Sequence, residues 1–136
     1  MQPAGILETV LYASDLAAVE AFYSNVLGLE LYSRAPPRQL FYRCGESMLL
    51  IFNPEVTRLT AAEGKLPVPP HGAVGPGHVC FRATAAEIAA WRQRLQAKGV
   101  AIESDFAWPG GGRSLYVRDP AGNSIEFAQP EIWGLA

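Results

Sequence analysis

A chain of 136 residues is one domain's worth of polypeptide, and with 49% hydrophobic and 18% charged residues it can bury a core without disulfide or metal staples. Its 11 basic and 13 acidic residues leave a formal net charge of −2 with no run of like charge, which gives no support to nucleic acid or an anionic membrane as a partner. The start of the chain lacks a basic, apolar leader pattern and no window reaches the ~18 apolar residues that span a bilayer, so a cytoplasmic protein is expected, with Cys44 and Cys80 as reduced core cysteines.

Ile6–Ala13 is apolar and bounded by Gly5 and Ser14-Asp15, which predicts a strand. Asp15 is a ready N-cap; Val19, Phe22, Tyr23 and Leu27 then recur at helical spacing until Gly28 stops the helix. Three short strands are predicted at Leu29–Ser33, Leu40–Cys44 and Met48–Phe52, with Pro36-Pro37 and Gly45-Glu46 as the breaks between them. Residues 54–74 are rich in proline and read as a linker or lid, with a helix-compatible piece at Thr60–Gly64. His71 in this segment is either a surface histidine or a lid residue.

The plan then repeats. Gly77–Arg82 is a predicted strand, and Thr84 with Glu87 forms a capping box. Ile88, Trp91 and Leu95 supply the apolar helical stripe, and Lys98-Gly99 closes it. Strands are predicted at Val100–Glu103, Ser114–Val117 and Ser124–Ala128, and the tail Pro130–Ala136, with Trp133, is expected to pack on the body. The distance from Glu8 to Gly28 is 20 residues and that from His78 to Gly99 is 21, so the two halves keep register. The fold class is therefore α+β within a single domain, 1–136. Two tandem βαβββ units, 1–53 and 75–136, form curled mixed sheets around a cavity with the helices outside. One helix covers one face of a four-stranded sheet; the other face must pack on itself, line a cavity or meet a second subunit.

Side chains alternate along a strand, so each half places polar, ligand-type residues opposite its helix-facing set: Glu8 in the first, His78 and Glu126 in the second. Ionisable groups inside a fold need pairing, neutralisation or a cation. One histidine and two carboxylates suit Mn, Fe, Co, Ni or Zn. The alternative is a solvated Glu8, a hydrogen-bonded His78, and Glu126 paired to Arg82 or Arg113.

Three segments carry a family resemblance: Thr9–Leu16 with Ala21-Phe22-Tyr23 and Leu27-Gly28-Leu29; Gly75–Phe81; and Tyr116–Glu126, whose Asp-Pro-Ala-Gly-Asn turn delivers Ile-Glu onto the last strand. Through them the chain resembles the vicinal oxygen chelate superfamily of glyoxalases, extradiol dioxygenases, fosfomycin-modifying enzymes and bleomycin-binding proteins. The resemblance implies metal ligands at Glu8, Leu50, His78 and Glu126. Leu50 cannot ligate, and Glu8 stands where His or Gln is commoner, which leaves three donors and positions for water and substrate. It implies a metal-dependent enzyme acting on a small oxygen-chelating substrate as isomerase, lyase, transferase or ring-opening dioxygenase. Glu8 or Glu126 would double as catalytic base, and Tyr12, Phe52, Trp108, Arg113 and Tyr116 would line the substrate pocket. Arg113 is the candidate for an anionic substrate group, or else a surface salt bridge. The alternative function is a metal-free small-molecule binding protein of the bleomycin-resistance type. A homodimer is expected in either case.

Overall fold

A computed structural model describes all residues, 1–136, and contains eight strands in two four-stranded mixed sheets. The chain divides into two compact units, Met1–Pro76 and Gly77–Ala136. No helix is long and apolar enough to cross a membrane.

In the first unit, β1 (Glu8–Tyr12) leads into α1 (Leu16–Glu20), which continues as a π-helical turn over Ala21–Val26. Asp15 caps α1 by accepting from the Ala18 amide at 3.1 Å, and Gly28, at φ 74°, reverses the chain after the helix. The meander β2 (Glu30–Ala35), β3 (Gln39–Cys44) and β4 (Ser47–Phe52) follows, and the sheet order is β1-β4-β3-β2 with β1 parallel to β4. Leu11, Leu40, Tyr42, Leu49 and Ile51 on one sheet face and Val19, Phe22 and Tyr23 on the helix are all buried, which makes the core of this unit. The expected helical piece at Thr60–Gly64 does not form. Asn53 instead caps a short α2 (Pro54–Thr57), because Asn-Pro supplies both the cap and a preset first helical φ.

The second unit repeats the order. β5 (His78–Arg82) precedes α3 (Ala85–Ala97), whose capping box is formed by Thr84 and Glu87 as expected. Then come β6 (Ser104–Ala107), β7 (Arg113–Arg118) and β8 (Ser124–Ala128), in the sheet order β5-β8-β7-β6. The strand expected at Val100–Glu103 begins at Ser104 instead, since Val100 is still tied to the helix end through its amide bond to Leu95 O. Val117, Ile125 and Phe127 face α3, and Trp91 stacks on Phe127 with centroids 4.7 Å apart. Trp133 does not pack on the body: it lies in a 3-10 turn (Pro130–Trp133) and is 78% exposed.

Candidate metal and substrate site

The register of the second sheet assembles the polar face. Glu126 on β8 lies opposite Cys80 on β5 and Tyr116 on β7, and His78 lies opposite Ser124. Alternation keeps these side chains on the face away from α3. The turn between β7 and β8 holds this register. Asp119 Oδ1 accepts from the amides of Ala121 at 2.9 Å and Asn123 at 2.8 Å, and Asn123 Oδ1 accepts from the Gly77 amide at 2.7 Å. The residue that ends the turn thus clamps the residue before His78. The Asp-Pro-Ala-Gly-Asn segment positions both ends of the site at once.

His78 Nε2 lies 3.2 Å from Glu126 Oε2, and the His78 Nδ1 lies 3.1 Å from the Ser124 carbonyl oxygen. A carbonyl oxygen only accepts, so Nδ1 carries a proton and donates. That leaves Nε2 facing a carboxylate oxygen. A lone pair cannot face an anionic oxygen at that distance without a proton or a cation to share. The other Glu126 oxygen, Oε1, is buried and has no hydrogen-bond partner. Glu126 is paired to neither Arg82 nor Arg113. Arg82 binds the Ala136 carbonyl, and Arg113 holds Asp105 through two bonds at 2.7 and 2.8 Å.

An N,O pair with this spacing fits a divalent ion: two donors each about 2.1 Å from one metal, near a right angle, stand about 3 Å apart. The Nδ1–H to carbonyl bond is the orienting contact that metal-bound imidazoles use. No three His, Cys, Asp or Glu side chains are gathered into a group that could hold a metal ion. Glu8 belongs to the first unit, where it starts β1, is exposed and lies opposite Met48.

The surroundings of the pair are protic and aromatic. Burial, and then the Glu126 carboxylate, push the Tyr116 hydroxyl up to about 12. Burial first and Glu126 second likewise push the Cys80 thiol up to about 12. Both stay neutral donors near pH 7. Cys80 is not the core cysteine expected from its apolar strand; as a residue it is exposed, on the polar face. Tyr116 stacks between His78, at 6.3 Å, and Phe106, at 6.0 Å, and Phe106 meets Trp108 edge-on at 4.8 Å. Trp108 is anchored by its indole N–H to Ser114 Oγ at 2.8 Å. A cavity of about 340 Å³ lies along this edge, bordered by Phe106, Tyr116, Arg118 and Ser124.

Tyr116 and Trp108 thus fall on the side of His78 and Glu126. Arg113 does not: it alternates to the helix face, where Asp105 bridges it to Arg92. In the first unit, Tyr12 and Phe52 lie opposite each other in register, on the face that also carries Glu8. His71 folds onto them, with Nδ1 2.6 Å from Tyr12 Oη and its ring 4.8 Å from Phe52. The Ser124 carbonyl, Cys80 and Phe106 were not singled out in sequence as neighbours of these residues, and His71 was left between a surface and a lid position. The cross-strand register would have found the first three; His71 is placed by a loop that no periodicity describes.

The family model described as the Glyoxalase/Bleomycin resistance protein/Dioxygenase superfamily matches residues 5–127. A crystal structure of lactoylglutathione lyase from Agrobacterium tumefaciens is 45% identical, covers 99% of this chain and 100% of its own, and superposes with a TM-score of 0.92. A glyoxalase/bleomycin resistance protein/dioxygenase from Nocardioides is 24% identical over 95% of this chain and 85% of its own, with a TM-score of 0.73. A virulence protein from Salmonella typhimurium is 26% identical over 95% of this chain and 98% of its own, with a TM-score of 0.69. No curated protein matches.

Proposed function

The chain belongs to the glyoxalase/bleomycin resistance protein/dioxygenase superfamily, and on that premise we propose that it is a metal-dependent lyase acting on a small substrate that presents two neighbouring oxygens. The observation that carries this reading is the buried Glu126 carboxylate, with one orphaned oxygen and the other held 3.2 Å from His78 Nε2. His78 and Glu126 would hold the ion. When bound, the ion supplies Lewis acidity, which stabilises negative charge on a substrate oxygen.

The chain's own groups have separate tasks. Ser124 fixes the His78 tautomer through its carbonyl. Glu126 Oε2 would join His78 as a donor, while Oε1 would take the proton from the carbon beside a substrate carbonyl and return it to the neighbouring carbon. The neutral Tyr116 hydroxyl donates to a developing oxyanion. Phe106 and Trp108 give the substrate an apolar wall and keep water from it. Lactoylglutathione, the compound in the Agrobacterium enzyme's name, carries a hydroxyl and a carbonyl on adjacent carbons, which suits chelation of one ion.

The face of each sheet opposite its helix has no helix of its own unit to cover it, which supports assembly as a homodimer. The free thiols of Cys44 and Cys80 suit a reducing, cytoplasmic compartment. The test is the interconversion of lactoylglutathione with glutathione and its three-carbon 2-oxoaldehyde, followed in the direction that equilibrium favours through formation of the thioester, with protein stripped of metal and then supplied with Mn, Fe, Co, Ni or Zn. Turnover that needs the metal and disappears in Glu126→Gln supports the reading; metal-loaded protein without turnover removes this substrate.

A second reading rests on the same contact between His78 and Glu126. A proton on Nε2 satisfies the His78–Glu126 pair as well as a cation does, which is the arrangement a metal-free binding protein would keep.

A further inference from the structure

The first unit carries a cavity of about 560 Å³ between the loop after α2 and the sheet end at Arg38. That volume lies in the range of small-molecule sites. Its charged lining is all basic. Arg38 and Lys65 border it, together with His71, and no Asp or Glu does. The ion pairs of this unit are Arg34–Glu20, Arg43–Glu30 and Arg58–Glu55, so Arg38 and Lys65 face the cavity without a carboxylate partner. The Arg38 guanidinium lies over the Phe52 ring, 5.0 Å from its centroid, and one of its N–H groups binds the Gln39 amide oxygen. Stacking fixes the plane of the fork and leaves its remaining donors to a planar anion.

The rest of the lining is apolar and unpartnered. Leu59, Leu66 and Val68 border the cavity, yet they are 58%, 81% and 49% exposed. Aliphatic side chains held around a cavity and left open to water gain from an apolar occupant. The wall is anchored, because His71 donates its amide to Thr57 O at 2.9 Å while its ring is held by Tyr12.

We propose that this cavity is a binding site for an organic carboxylate with an apolar body, the carboxylate taken by Arg38 and Lys65 and the body by the Leu59, Leu66 and Val68 wall. The site goes beyond the lyase reading and does not rest on it: none of its residues comes from the second unit, where His78 and Glu126 lie.

The experiment uses the full chain, stripped of metal with chelator and dialysed free of it. The probes are 1-naphthaleneacetate and its neutral amide, titrated by calorimetry. The acid is expected to bind about tenfold tighter than the amide, the worth of a hydrogen bond to a charged group. Lys65→Met, in an exposed loop position, should bring the acid to the level of the amide with an unchanged melting curve. Ala61→Trp, which fills the cavity, should abolish both. His78→Ala should bind both probes as the parent does. The proposal is overturned if acid and amide bind alike, if neither binds at millimolar concentration, or if folded Lys65→Met binds the acid as the parent does. It is also overturned if His78→Ala loses the acid, because the carboxylate would then be going to the metal pair.

Discussion

Leu50 and Glu126 occupy the same register position in the two units: Leu50 on β4 lies opposite Val10 of the parallel strand β1, as Glu126 on β8 lies opposite Cys80 of β5. Their antiparallel neighbours, Phe41 and Tyr116, correspond as well. One unit therefore carries an apolar version, Val10, Leu50 and Phe41, of the polar trio Cys80, Glu126 and Tyr116. The fold is satisfied by either version, and the chemistry only by the second.

Replacing Glu126 by the residue its twin carries separates these two demands. Glu126→Leu removes a buried orphaned oxygen, a group that costs more to bury than an isosteric apolar side chain. Metal-free Glu126→Leu should be about 1 kcal/mol more stable than the parent in denaturant melts, while losing metal uptake and turnover. A variant that is less stable than the parent would show that the carboxylate has a structural role in the metal-free protein.

The reverse exchange adds a donor where the first unit has none. Leu50 is 6% exposed, so Leu50→Glu buries a carboxylate among Val10 and Phe41. In chelator it should lose about 3 kcal/mol, the usual scale for an uncompensated buried charge. Added divalent ion should restore part of that loss if the new carboxylate takes up metal. Calorimetric melts that do not change between chelator and metal would place position 50 outside the site.

Asp105 supplies a pH-dependent term to the stability of the second unit. The Arg113 guanidinium, and less strongly Arg92, hold its carboxyl below the ordinary range. A depressed folded value contributes stability above the unfolded value of about 3.9 and loses it as pH falls through the folded one. Asp105→Asn should therefore cost about 1–2 kcal/mol near pH 7, and leave Arg92 and Arg113 facing each other. Its difference from the parent should shrink as the pH is lowered below about 4. A difference that stays constant down to pH 2 would assign the effect to packing.

Gly112 ties the loop before β7 to the C-terminal turn. Its φ is +86°, and a Cβ there would come 2.6 Å from Ile132 Cγ2. Gly112→Ala should destabilise by about 1–2 kcal/mol through backbone strain and displacement of the turn. Because the Trp108 amide donates to Gly112 O at 2.9 Å, the variant should also raise KM more than it lowers kcat. Parent-like melts would show that the tail moves away without cost.

Much of this was readable in sequence wherever a local rule speaks. Asp15, the Thr84–Glu87 box and Gly28 mark helix ends through backbone hydrogen bonding that their own side chains or conformations decide. Alternation alone put His78 and Glu126 on one face, and the structure brings them into contact. What alternation does not carry is which residue lies across from which. Cys80 looked like core because its strand is apolar, but parity placed it on the polar face beside Glu126. Arg113 is the converse case: it neighbours a glycine-rich loop and aromatics in sequence, yet parity turns it to Asp105 on the helix side. His71 was left between a surface and a lid position, since a proline-rich segment has no period from which its docking on Tyr12 and Phe52 could be inferred.

Whether His78 and Glu126 hold a divalent ion or merely share a proton is decided by titrating Mn, Ni or Zn into stripped, dialysed protein in a calorimeter, with His78→Ala and Glu126→Leu in parallel. Saturable binding of about one ion per chain is expected in the parent, with release of protons on binding, and its loss in both folded variants. No saturable binding by the parent, or equal binding by His78→Ala, would contradict the metal reading and leave the pair as an imidazolium–carboxylate contact.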